Sequence, residues 1–169
     1  MNIPEAYAYL TRARRDLWAT LERIPDEALS RPLIGGPRFQ CIKDLVFHVA
    51  NTEDGWLHYT ILQDGPVQAR FPGVKDIPDG PFCAEVPLAT LLDYWRAVEE
   101  STLGHLTALN GDLTRLVHDS PTERFVLDGL LWHVLLHEVR HTAQIALLLR
   151  MQGIEPPALD LFFYLTPVP

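Results

Sequence analysis

Four stretches of roughly 20 residues repeat apolar side chains every three or four positions, and none alternates convincingly at the two-residue period of a strand. That pattern predicts helices. The first, about 4–24, opens on Pro4 and carries Tyr7, Leu10, Leu17, Leu21 and Ile24 at helical intervals. The second, about 39–63, aligns Ile42, Leu45, Val49 and Trp56 and meets a stop at QDG. The third, about 87–109, begins at Pro87 and places Leu91, Trp95, Val98, Leu103 and Leu106 before NGD ends it. The fourth spans Asp128, an expected N-cap, to Gly153, an expected C-terminal stop.

Proline and glycine gather between these segments, in SRPLIGGPR (30–38), DGPVQARFPGVKDIPDGPF (64–82) and NGDLTRLVHDSP (110–121), which read as loops. TERFVL (122–127) predicts at most a short strand. The expected fold is all-α: an antiparallel four-helix bundle forming one domain over 1–169, with a long loop between helices 2 and 3. That loop, about 23 residues, exceeds what adjacent antiparallel helices need and is long enough to cross an end of the bundle. With 47% hydrophobic residues the chain fills a core without staples.

A net charge of −8 gives no basic footprint for nucleic acid or an anionic membrane. No apolar run approaches the roughly 20 residues of a membrane-spanning helix, and the start MNIPEAYAYL is not a secretory signal. Cys41 and Cys83 lack the spacing of a zinc knuckle or a redox pair, so both read as free thiols in a reducing, cytoplasmic compartment.

The chemistry concentrates in HVLLHEVRHTAQ (133–144), where His133, His137 and His141 recur at four-residue intervals. Neighbours in this series are offset by about 40° around the helix and about 6 Å along it, so an adjacent pair can share one ion. The outer two lie about 12 Å apart and cannot. The pair is therefore 133/137 or 137/141. Two imidazoles side by side among leucines need polar partners, which a cation supplies. A third ligand must come from another helix, and His48, in mid-helix between Leu45 and Val49, is the candidate. Asp44, one turn earlier, is placed either to accept the second ring N–H of His48 or to remain a solvated charge near the helix start. HEVRH also matches the H-E-x-x-H pattern in which Glu138 acts as general base beside zinc. An all-helical chain has no sheet edge for a peptide, and no further ligand follows, so a metallopeptidase is the least favoured reading. Glu138 otherwise forms an ion pair with Arg140 or a neighbouring helix. Trp56, Tyr59 and Trp132 are candidates for a pocket mouth or simply for core, and the 64–86 loop for a lid carrying Arg70 and Lys75.

CIKDLVFHVANTEDGWL (41–57), LLWHVLLHEVRHTAQIALLLRMQG (130–153) and IEPPALDLFFYL (154–165) resemble the DinB-like damage-inducible proteins of the DinB/YfiT superfamily across essentially the whole chain. The resemblance implies a four-helix bundle, often homodimeric, with a divalent ion, commonly zinc or nickel, held by His48, His137 and His141. His133 then becomes a neighbour of the site. In the family a second histidine and then arginine-glycine-glutamine commonly surround the last ligand, whereas this chain has Arg140 before His141 and TAQ after it. Family members include thiol S-transferases and isomerases that use bacillithiol, mycothiol or glutathione.

Three neutral histidines leave an ion its full charge and an open position, the pattern of a catalytic site. The expected function is thus a metal-dependent thiol S-transferase, or a related hydrolase, acting on a small electrophilic molecule with a low-molecular-weight thiol as cosubstrate. Gln144, one turn beyond His141, is a candidate to orient the bound nucleophile or a ligand ring, and Glu138 a candidate to accept a proton or a hydrogen bond from behind the ligands. The alternative is a non-catalytic, dimeric metal-binding protein of the stress response.

Overall fold

The computed structural model describes residues 1–78, 82–109 and 111–167. It is mostly helical. In chain order the helices are α1 (Ile3–Leu21), a five-residue α2 (Asp26–Ser30), α3 (Ile42–Asp54), α4 (Leu88–Leu109) and α5 (Leu127–Met151). Asn2 starts α1 by accepting the Glu5 N–H at 2.9 Å, while the Glu5 carboxylate accepts the Asn2 N–H at 3.0 Å. α3 starts later than its periodicity suggested, because Phe39 sits in the left-handed region at φ 56 and breaks the helical path. It then runs on without interruption as a π-helical segment, Gly55–Ile61.

β1 (Leu116–His118) lies inside the stretch expected to be loop and pairs antiparallel with β2 (Arg124–Val126), with Val117 opposite Phe125. β2 leads straight into α5, so Val126 takes the N-cap position expected for Asp128, which falls inside the first turn. Gly153, at φ 75, does end the helix region as expected, a backbone state that glycine adopts without strain.

Helix directions follow from paired side chains. α1 and α4 run antiparallel, since Arg14 meets Glu99 and Glu22 meets Arg96. α3 and α5 run antiparallel, with His48 against His137 and Trp56 against His133. Between α3 and α4 the pairs rise together: Phe47 and Asp54 meet Tyr94, and His58 meets His105. These two helices are parallel, which departs from the expected antiparallel succession.

The reason is the long connection, which returns the chain along the length of α3. It is pinned in two places. Asp54 accepts the N–H groups of Val67 and Gln68, each at 2.8 Å. Near the start of α3, Asp44 accepts the Cys83 N–H at 2.6 Å, and the Lys43 ammonium donates to the Ala84 carbonyl at 3.0 Å. The expected lid is thus tied at both ends to α3; its residues 79–81 lie outside the described residues.

Apolar packing forms two clusters stacked along the helices. One gathers Leu17, Leu21, Leu45, Trp95, Val98 and Leu149 among others, the second Ile3, Tyr7, Leu57, Leu131 and Leu135. Between them in chain position lies a buried charged layer. Arg14 of α1 donates to Glu53 of α3 at 2.7 Å, to Glu99 of α4 at 3.2 Å, and through two nitrogens to Glu138 of α5 at 2.9 and 2.6 Å. The Tyr7 hydroxyl donates to Glu53 at 2.6 Å. Four helices are therefore tied at one level by one guanidinium. Among the described residues, no helix is long and apolar enough to cross a membrane.

Candidate metal centre

His137 and His141 stand one turn apart on α5 and face α3 at the level of His48. The Nε2 atoms of His48 and His137 lie 3.1 Å apart, and one ligating nitrogen from each of the three rings falls within 4.8 Å of the others. A tetrahedral ion with bonds of about 2.0–2.1 Å holds imidazole nitrogens roughly 3.4 Å apart, so small ring movements bring all three onto one centre. His133 packs on His137 with ring centroids 5.8 Å apart, but it does not join the cluster, so 137/141 is the pair that meets His48.

The protonation states suit a cation. His137 is lowered to about 3, first by burial, then by the neighbouring His141, His48 and His133 rings and by Arg140. His141 is also lowered, chiefly by burial. Both rings are neutral near pH 7 and keep a lone pair for a ligand. Gln144 settles which nitrogen that is at His141: its Oε1 lies 2.6 Å from Nδ1 and can only accept, so Nδ1 carries the proton and Nε2 is free to coordinate. Among the described residues, the cluster contains no carboxylate.

Phe39 covers one side, its ring centroid 4.4 Å from that of His48 and 5.8 Å from that of His141. Holding a non-glycine residue at positive φ costs on the order of 1–3 kcal/mol, and here that strain accompanies an aromatic shield on the histidines. The Arg38 guanidinium in turn stacks 5.1 Å from the Phe39 ring. The loop before α3 therefore touches the centre, through Phe39. Sequence reasoning missed Phe39 by placing it inside the second helix; no periodic signal marks it.

Asp44 is not solvated, and it accepts hydrogen bonds from backbone N–H groups. It is buried, and besides Cys83 it accepts the N–H groups of Gln40 and Cys41, at 2.8 and 3.1 Å, capping α3. Glu138 is also turned to structure. Both of its oxygens are held by Arg14, which realises the neighbouring-helix ion pair and gives HEVRH no free general base. Burial raises its carboxyl, against the pull of Arg14. Cys41 and Cys83 are free and buried, their thiols pushed up to about 11 and about 12 by burial. Trp56 lines a pocket beside His133, Tyr59 is exposed, and Trp132 lines a separate groove against α1. Arg70 and Lys75 are exposed on the pinned connection.

The family model described as DinB family matches residues 1–168. No curated protein matches the chain.

Proposed function

The chain belongs to the DinB family, and from that premise we propose that it is a metal-dependent thiol S-transferase, or a related hydrolase, acting on small electrophilic molecules. His48, His137 and His141 would hold the ion, zinc or nickel. The observation that carries this reading is the meeting of three imidazoles from two helices with no carboxylate among them. Such a donor set neutralises none of the ion's charge. A divalent cation held there favours a thiolate over its thiol near neutral pH and so supplies a nucleophile.

The chain's own residues support that chemistry in three ways. Gln144 fixes the Nδ1 proton of His141 and with it the direction of Nε2. Burial keeps His137 and His141 deprotonated, so protons do not compete for the ligating nitrogens at neutral pH. Phe39 keeps water from one side of the rings, which strengthens every electrostatic contact there. Glu138 is assigned to the scaffold and not to proton transfer, and peptidase activity is not proposed.

A second reading, a non-catalytic dimeric metal-binding protein of the stress response, is favoured by the outer face of α5. Leu136, Val139, Leu147 and Met151 are exposed along it. A homodimer on that face fits either reading, as does a cytoplasmic location. Metal analysis of the purified chain tests the centre: His48→Ala and His141→Ala should each lose most of the ion while keeping their helical circular dichroism. Retention of the ion by either variant refutes the ligand set. Conjugation of an electrophile with glutathione, bacillithiol and mycothiol then separates the two readings. If no thiol is turned over and chelation only lowers Tm, the non-catalytic one stands.

A further inference from the structure

One turn of α5 before His137, Trp56, Phe125, Val126, Gly129, Leu130 and His133 line an open surface pocket of about 370 Å³. That volume lies within the ~300–1,000 Å³ typical of small-molecule sites. Its walls are apolar, with two aromatic rings, and the ring of His133 is the one titratable group among them. His133 meets Trp56 edge to face at 5.4 Å and packs against His137 at 5.8 Å, so it stands between the pocket and the histidine cluster. Phe125 and Val126 are partly exposed apolar side chains on the short ribbon, and they form a wall of this pocket.

Gly129 supplies a second, independent observation. It lies in the first turns of α5, where glycine is second only to proline in disfavouring helix, yet a Cβ added there would meet nothing within 4 Å. Packing therefore does not require glycine at this position. Any longer side chain would grow into the space that the other five residues line.

We propose that this pocket seats an aromatic, or similarly flat apolar, ring of the substrate, with the reactive end directed past His133 towards His137. The proposal deepens the metal-dependent reading and rests on it for the reaction, but the pocket is testable without an ion. In it His133 is a positioning residue, the polar group that orients the ring's substituent, and Gly129 sets the room available.

The test is titration of the metal-free, full-length chain with 4-fluorobenzyl alcohol, followed by fluorine NMR and by the ring C–H resonances of the histidines. Saturable binding is expected, with shifts at His133 and His137 and none at His58, which is buried on the π-helical segment beside Asp54. Gly129→Leu should weaken binding by about tenfold or more. Wild-type affinity in Gly129→Leu, or an unmoved His133 resonance on saturation, overturns the proposal. So does a changed sedimentation coefficient in Gly129→Leu with unaltered affinity, which would make the pocket a contact between copies. The histidine shifts are read on the unaltered chain and do not depend on how any variant folds. If the chain takes up no metal but these results hold, the metal reading alone fails.

Discussion

Replacing Arg14 by methionine isolates the cost of the buried charged layer. Arg14 is almost wholly buried, and its guanidinium is hydrogen-bonded to three carboxylates while its face lies 5.5 and 5.3 Å from the Tyr7 and Trp95 rings. Methionine keeps the stem's volume and removes the charge. Glu99 would retain Arg15 at 2.8 Å, but Glu53 and Glu138 would face each other's charge without a cation. The least costly escape is for one of them to take a proton. Holding a carboxyl protonated at pH 7 against an ordinary value near 4.3 costs about 3.7 kcal/mol. The cost falls by about 1.4 kcal/mol for each pH unit removed, to roughly 1 kcal/mol at pH 5. Urea unfolding of the metal-free wild type and Arg14→Met at both pH values gives the difference directly, and histidine titration, common to both chains, cancels. A destabilisation of about 4 kcal/mol at pH 7 that shrinks to about 1 kcal/mol at pH 5 is expected. A loss below 1 kcal/mol at pH 7, or one independent of pH, would refute the idea that Arg14 neutralises otherwise unbearable charge.

Asp44→Ala removes an acceptor from three backbone N–H groups and should lower stability by about 2–3 kcal/mol, with faster proteolysis of the 64–86 connection; an unchanged cleavage rate would dismiss Asp44 as its anchor. His137 is held far below the ordinary value near 6.5, so below pH 6.5 the unfolded chain binds the proton that the native chain refuses. The metal-free protein should therefore lose stability progressively as pH falls from about 6.5 towards 3, and His137→Asn should flatten that part of the Tm profile. A profile of equal slope in both chains would contradict the depressed value. Gln144→Ala frees the Nδ1 proton of His141 and should weaken metal binding about tenfold in competition with a chromogenic chelator, whereas an unaltered affinity would show that packing alone orients the ring.

Periodicity located the long helices because the core-facing stripe of each is mostly apolar. It could not give the relative direction of α3 and α4, which depends on where a proline-rich connection is fastened. The fastening points, Asp44 and Asp54, look in sequence like ordinary surface acids. Arg14 carried a usable signal: it falls on the stripe between Leu10 and Leu17, where a lone cation requires buried partners. Its partners sit on three other segments, and no local pattern connects them. At the histidines, four-residue spacing narrowed the pair but left 133/137 and 137/141 equivalent. Only the height of His48 on the facing helix separates them, and helix height is a tertiary quantity. Asp128 and the ribbon show a related limit, since a strand of three residues is too short to display alternation and moved the N-cap two positions ahead of the polar residue.

The histidines that face each other across α3 and α5 are separated by 89 positions in the chain. During synthesis from the N-terminus, His48 emerges early and waits while the return connection, α4 and the ribbon are made. His137 and His141 arrive only with the last long helix. A product that stops short of α5 therefore carries one imidazole of the three, and the histidine cluster cannot assemble before α5 has been made.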